Sequence, residues 1–354
     1  MTASAARPLA GPALALASAV LFGASTPLAK LIGADTNAWL LAGLLYAGSG
    51  IGLAAWRLAR HATGAPAHEA ALSRADMPWM IAIVAVGGIA APLLLMFGLK
   101  SVPGSTASLL LNLEGLATMA IAWLVYRENV DRRLLLGAFA ILLGAVVLSW
   151  DFSALALSPG AALIAGACLC WGIDNNLTRK LSAADPVQIA MIKGLVAGVA
   201  NVTLGLFAAG QLPPLTTVLA VGVLGLLSYG ISLVLFVLAL RHLGAARTGA
   251  YFSTAPFVGA LIAIPLLAEP LTAALGVAGA LMGLGVWLHL TERHEHWHEH
   301  EALAHTHAHA HDEHHQHIHA PDDPLGEPHA HPHTHAPLRH KHPHFPDLHH
   351  RHGH

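Results

Sequence analysis

Met77-Pro78-Trp79-Met80-Ile81-Ala82-Ile83-Val84-Ala85-Val86-Gly87-Gly88-Ile89-Ala90-Ala91-Pro92-Leu93-Leu94-Leu95-Met96-Phe97-Gly98-Leu99 is a run without one charged side chain. At 1.5 Å per residue a helix of this length crosses a hydrocarbon core of ~30 Å. A surface helix of a soluble domain is apolar on one stripe only, so a run apolar all round reads as a membrane span. Nine similar runs flank it, at 12–33, 37–56, 103–125, 132–150, 160–179, 187–209, 215–240, 245–267 and 271–290. Asp35-Thr36-Asn37, Ser158-Pro159-Gly160, Asp185-Pro186, Pro213-Pro214 and Glu269-Pro270 punctuate them, as capping and turn residues should. The expected fold class is an all-α membrane protein of ten transmembrane helices.

Composition agrees. Of 354 residues, 55% are hydrophobic and 11% are Asp, Glu, Lys or Arg, against roughly 25% charged in an ordinary soluble domain. That excludes a plain soluble enzyme. The formal charge of −2 gives no sign of a nucleic-acid partner. Cys168 and Cys170, two apart in an apolar run, make neither a disulfide framework nor a zinc ribbon. The first run has only Arg7 before it and lacks a clear cleavage site, so it reads as a helix and not a signal peptide.

Lys and Arg set the orientation. With a cytoplasmic amino terminus, the inner side receives Arg7, Arg57, Arg60, Arg74, Arg127, Arg132, Arg133, Arg179, Lys180, Arg241, Arg247 and Arg293, and the outer side only Lys30 and Lys100. The positive-inside rule then predicts a multi-pass protein of the inner (plasma) membrane with both termini cytoplasmic.

The chain also overlays on itself. Phe22-Gly23 matches Trp171-Gly172 and Lys30 matches Arg179; further on, Leu99-Lys100 matches Leu240-Arg241, Glu128 matches Glu269, and Gly144 matches Gly285. The loop 57–76 of the first half has no counterpart in the second. Five helices per unit is an odd number, so residues 1–150 and 151–290 read as two five-helix repeats inserted in opposite senses. Secondary transporters use this architecture, with the substrate site near the midplane where the repeats meet.

The doubled five-helix unit, the aromatic-Gly patch of its first helix, and the glutamate after its fourth (Tyr126-Arg127-Glu128 and Ala268-Glu269-Pro270) resemble the EamA branch of the drug/metabolite transporter superfamily. The resemblance covers roughly residues 12–290. It implies a ten-helix carrier with both termini inside, alternating access between two bundles, small-metabolite substrates, and export in many members.

Charged groups at bilayer depth cost about 2.5 to 3.5 kcal/mol each on insertion scales and call for a reason. Glu114 lies ~16 Å into its span, near the midplane, with Asn112 close by and Thr118 on the same face at i+4. It either binds a cationic substrate, a metal ion or a coupling proton, or glues two helices together. The second half offers Tyr251 and Thr254 as substrate contacts, with Pro256 loosening the helix beside them. Asp174 and Lys193 fall at one depth on consecutive helices and read as a salt bridge, either a gate or a structural pair, with Asn175 and Asn176 beside it. Glu128 and Glu269 read as caps of the helices that follow them. Gly48-x-x-x-Gly52, Gly194-x-x-x-Gly198 and Gly279-x-x-x-Gly283 read as close helix contacts.

Only His61, His68 and His242 precede residue 289, so 24 of the 27 histidines lie in residues 289–354. Residues 291–354 hold almost no large apolar side chain and are expected to be a disordered cytoplasmic tail. His305, His307, His309, His311, His314, His315, His317, His319, His329, His331, His333 and His335 form its His-x-His core. Imidazoles at that spacing suit Zn, Ni, Co or Cu; the competing reading is a solvated tail that responds to pH.

The sequence therefore predicts a secondary-active exporter of a small metabolite, requiring no cofactor and carrying a divalent-metal-binding tail. Glu114, Asn112, Thr118, Tyr251 and Thr254 are the substrate or proton-coupling residues; Asp174, Lys193, Asn175 and Asn176 are the gate. No catalytic constellation points to an enzyme. Lipid and a small molecule are the expected partners, a homodimer is the candidate assembly, and nucleic acid is not a partner. The alternatives are a divalent transition-metal (Ni, Co or Zn) exporter and a membrane-anchored metal buffer or sensor.

Overall fold

The computed structural model describes residues 10–63, 71–126, 132–151, 156–181, 184–291, 295–300, 303–309, 329–335 and 338–343. The apolar part is helical: α1 (Ala10–Gly23), α2 (Ser25–Ile32), α3 (Ala38–Ala62), α4 (Met77–Ile83), α5 (Ala91–Leu99), α6 (Gly104–Leu110), α7 (Leu113–Tyr126), α8 (Arg132–Ser149), α9 (Pro159–Thr178), α10 (Pro186–Ala209), α11 (Leu215–Gly225), α12 (Ser232–Phe252), α13 (Ala255–Leu266) and α14 (Ala273–Leu290). The ends follow local chemistry. Asn37 caps α3 through the Trp39 amide, Thr272 caps α14 through Leu275, and Asp185 caps α10 through Val187 and Gln188, with Pro186 at the position where no amide is needed.

Seven stretches are long and apolar enough to cross a membrane: Gly11–Ile32, Ala38–Ala62, Arg74–Leu99, Gly104–Val125, Arg132–Ser149, Pro186–Ala209 and Leu215–Ala239. Leu58, Ile81, Leu124, Val199 and Phe207 are well exposed on their outer faces, which suits a lipid surround. The remaining expected spans differ in detail. α12 runs unbroken through 240–245, where a turn between spans was expected, because Leu240-Arg241-His242-Leu243-Gly244-Ala245 holds no proline to stop it. The chain instead breaks at Ser253–Thr254, where Pro256 has no amide to give the Phe252 carbonyl. That leaves α13 too short to span alone.

Interruptions recur at matching places in the two halves. The α6–α7 break falls at Leu111–Asn112 and the α12–α13 break at Ser253–Thr254. A π-helical stretch, Val84–Ala90, joins α4 to α5, and another, Leu226–Ile231, joins α11 to α12. Each π turn adds a residue and leaves carbonyls to be satisfied from the side.

Packing pairs the halves. α3 lies against α10 and α8 against α14; α1 touches α12 and α13, as α9 touches α5 and α7. Along α3 and α10 the backbones meet: a methyl group on Gly50 would stand 2.4 Å from the Leu195 amide, and one on Gly198 would stand 2.6 Å from the Ala47 amide. Gly48 similarly abuts Gly222, so two of the three small-residue patterns are close contacts. The third is not, since Gly279 and Gly283 meet only side chains of Leu109 and Phe257 at 3.8 Å. Ser18 and Ser232 bond reciprocally, each hydroxyl donating to the other's carbonyl at 2.7 and 2.9 Å.

Asp185 also pairs with Arg57 at 2.7 Å, tying the end of α3 to the start of α10. Asp185→Ala removes a helix cap and a half-exposed ion pair together. We expect a loss of about 1 kcal/mol, read as a small fall in the unfolding midpoint in detergent with flux unchanged.

The described part of the tail is extended chain in two antiparallel pairs. Glu295–His300 pairs antiparallel with Leu338–Pro343, and Leu303–His309 with His329–His335. Alternation with a period of two suits extended chain, and pairing satisfies its backbone groups. His305 lies opposite His333, His307 opposite His331, and His309 opposite His329. His311, His314, His315, His317 and His319 lie outside the described residues, as does Glu128.

Candidate functional site

Glu114 stands in the first turn of α7, just past the break. Three short-range amide bonds carry the chain through it: Leu111 to the Ser108 carbonyl, Asn112 to Leu109, and Glu114 to Leu111. The break turns Glu114 toward α9. There Asn175 Nδ2 donates to Glu114 Oε1 at 2.9 Å and approaches Thr118 Oγ1 at 3.2 Å. Thr118 donates to the Glu114 carbonyl at 2.9 Å. Asn176 donates to the carbonyls of Thr118, at 3.1 Å, and Gly172, at 2.8 Å. α7 approaches this closely because Gly172 faces Ala117, where a methyl group would stand 2.7 Å from Ala117 Cβ.

At the residue of α9 next to Asn175, Lys193 Nζ donates to Asp174 Oδ2 at 2.5 Å, and Thr178 donates to Oδ1 at 3.3 Å. Both members of the ion pair are buried, at 9% and 6% side-chain exposure. The expected bridge between consecutive helices therefore exists, and Asp174 adjoins Asn175, the residue that bonds Glu114. The two charges of the bridge neutralise each other. The Glu114 carboxylate is held by a neutral amide, that of Asn175, so the cluster carries one carboxylate in excess of its cations.

Three expected residues lie elsewhere. Asn112 donates to its own Leu109 carbonyl at 3.0 Å and touches Met282 Sδ at 3.8 Å, so it mends the break and faces α14. Thr254 spends its hydroxyl on the Tyr251 carbonyl at 2.7 Å and serves the other break. Neighbouring Phe252, not Tyr251, joins the central aromatic group, with its ring 5.4 Å from Phe22. Glu269, expected to cap the helix after it, caps a different one: α14 has its own cap in Thr272, and the Glu269 carboxylate accepts from the amides of Gly104 and Ser105. The turn at Ala268, with φ 51°, aims it there.

The structure adds residues that periodicity does not disclose. The π-helical stretch leaves the Gly87 carbonyl to Tyr46 Oη, at 2.8 Å, and Trp171 Nε1, at 3.2 Å, while Asn201 Nδ2 takes the Gly88 carbonyl at 3.2 Å. Tyr46 meets Tyr229 at a tilt of 46° with centroids 5.1 Å apart, and Phe22 meets Trp171 edge-on at 6.2 Å and Tyr229 at 5.9 Å. Phe22 and Trp171, the aromatic members of the self-overlay, are thus in contact at the centre of the bundle. The Gly87-Gly88 doublet was the sequence signal; it also leaves room for the Asp174 carboxyl, which a side chain at Gly87 would strike. No group of three or more metal-ligating side chains occurs among the described residues.

The chain is similar to a known family, to a curated protein and, in fold, to a solved structure. The profile of the EamA-like transporter family matches residues 9–150 and 158–291. A curated protein of Methanothermobacter thermautotrophicus named an uncharacterized transporter is 32% identical over 230 residues, which is 62% of this chain and 66% of that protein. The chain thus spans just under two thirds of that relative's length. A solved crystal structure superposes with a TM-score of 0.58 at 20% identity, covering 78% of this chain and 94% of the other, and shares the fold.

Proposed function

Because the chain belongs to the EamA-like transporter family of the drug/metabolite transporter superfamily, we propose that it is a secondary-active carrier, and not an enzyme, that exports a small metabolite by alternating access. It is a multi-pass membrane protein, and its expected surroundings are lipid and a small-molecule substrate. The observation that carries the reading is Glu114: a carboxylate at bilayer depth, held by Asn175 beside a helix break, with no cation bonded to it among the described residues. Such a group takes a proton or a cationic substrate group in turn, which is the requirement for coupling. The Asp174–Lys193 bridge is the gate, Asn175 orients the carboxylate, and Thr118 and Asn176 hold the backbone around it.

Two inverted five-helix repeats account for the paired breaks and paired π-helical stretches. Ten spans follow if α9, the part of α12 beyond residue 239 together with α13, and α14 complete the seven. The Lys and Arg distribution supports cytoplasmic termini and an inner-membrane location. The tail binds Zn, Ni, Co or Cu through its paired histidines, and opposed register positions such as His305 and His333 favour that chemistry.

Removal of residues 291–354 separates the readings. A metabolite carrier keeps its flux within about twofold and loses tail-bound zinc, measured in reconstituted vesicles and by equilibrium dialysis. A metal exporter instead loses its response to low metal, and a metal buffer loses every measurable property. A deletion that abolishes metabolite flux defeats the proposal.

A further inference from the structure

Resting on the carrier reading, we infer that Glu269 is a clasp between the two halves, closed in this structure, and that the transport cycle must open it. Its carboxylate is fully engaged. Oε1 accepts from the Gly104 amide at 2.5 Å, and Oε2 accepts from the Ser105 amide at 2.8 Å and the Ser105 hydroxyl at 2.6 Å. Those donors open the Gly104–Val125 span of the first half, whereas Glu269 belongs to the α13–α14 turn of the second. On the same face Lys30 donates to the carbonyls of Leu99 and Val102, at the end of the preceding span. The short link 100–103 is therefore held at both ends, by a cation from α2 and by an anion from the other half.

A purely local cap would look different. Pro103 stands at the capping position of α6 and offers no side-chain acceptor, whereas Ser, Thr, Asp or Asn there would satisfy the same amides within one segment. Delegating the cap to the opposite half makes it depend on how the halves sit. Ala268 supports this, holding a left-handed conformation that L-residues other than Asn and Asp seldom adopt, one residue before the carboxylate it directs. Below the clasp α6 packs on α13, with Ser108 buried at 1% exposure against Gly259. Beside the clasp is a cavity of about 240 Å³ whose polar lining includes Ser101, Ser105, Thr106, Ser158 and Thr272. Parting α6 from α13 would join that cavity to the buried seam, and the clasp is what opposes it.

The test uses the full chain with Cys168 and Cys170 replaced by Ala and a single reporter, Ser108→Cys, in sealed vesicles. The readout is the labelling rate by a charged, membrane-impermeant maleimide applied from each side. Glu269→Gln keeps the side-chain size but removes the charge, and is expected to raise labelling from the clasp face at least tenfold. Adding Pro103→Asp supplies a local cap. The double variant should regain thermal stability while labelling stays fast, because a local cap does not bridge the halves. Labelling that returns to the parent rate in the double variant makes Glu269 an ordinary cap and overturns the inference. So does a Glu269→Gln protein that elutes as folded and labels no faster than its parent. Labelling requires no substrate: fast labelling without any flux leaves the clasp standing and removes the carrier reading instead.

Discussion

Glu114→Gln is expected to lower gradient-driven flux in reconstituted vesicles at least about 100-fold, equivalent to about 2.7 kcal/mol. The substitution keeps the shape of the side chain and an oxygen for Asn175 Nδ2, now 2.9 Å from Oε1, so the fold should survive and the elution profile stay unchanged. What it removes is the one carboxylate of the cluster without a bonded cation. Asp174 cannot replace it, because Lys193 already occupies Oδ2 at 2.5 Å. A carrier lacking an exchangeable charge at bilayer depth has nothing to trade between proton and substrate, so an imposed pH gradient should no longer drive accumulation. Glu114→Asp keeps the charge but withdraws it by about one methylene from Asn175. It should retain the response to the pH gradient with a higher half-saturating substrate concentration. A Gln variant that transports at the parent rate with the parent's pH dependence would leave Glu114 as helix glue, the competing reading of a polar side chain between α7 and α9.

The spans were legible because hydropathy sums over twenty residues, so misjudging one position changes little. Seven of the predicted runs reappear with ends displaced by a few residues. The site is legible only where a side chain is conspicuous in apolar surroundings. Glu114, Thr118, Asp174, Asn175, Asn176 and Lys193 stood out for that reason, and the structure gathers them. Asn112, Tyr251 and Thr254 were equally conspicuous, but the polarity of Asn112 and Thr254 mends helix breaks. Nothing in the spacing separates a residue that repairs a broken ladder from one that faces a substrate. Tyr46 and Asn201 do not stand out in the sequence, and Trp171 does so only as a repeat match, because their partners are the carbonyls of Gly87 and Gly88, freed by a π turn. A π turn adds a residue and rotates every later side chain by about a quarter turn relative to a regular helix, so face assignments made at 3.6 residues per turn fail beyond it. Glu269 was correctly singled out and wrongly aimed, since the left-handed turn at Ala268 is invisible in an alanine.

Breaking the Asp174–Lys193 bridge from either side should be the most damaging single change in the molecule. Asp174→Asn leaves a buried ammonium with no anion bonded to it, and Lys193→Met leaves the corresponding carboxylate; each is expected to cost about 3 to 5 kcal/mol, seen as loss of folded protein after extraction. The double substitution Asp174→Asn with Lys193→Met removes both charges and should recover most of the folded yield, because a buried pair contributes little net stability over neutral replacements. Exchanging the residues should fail. Asp174 is wedged against Gly87, whose missing side chain leaves room for a short carboxyl and not for a lysine. Function then parts the two remaining roles. A bridge that opens and closes as a gate holds the inner side shut between turnovers, and its neutral replacement should fold yet leak substrate down its gradient without responding to an imposed pH gradient. A bridge that only joins α9 to α10 should, once neutralised, leave a protein that folds and keeps its coupled flux. We expect the first result, because Asp174 adjoins Asn175, which holds the Glu114 carboxylate, so a change at that carboxylate reaches the pair through α9.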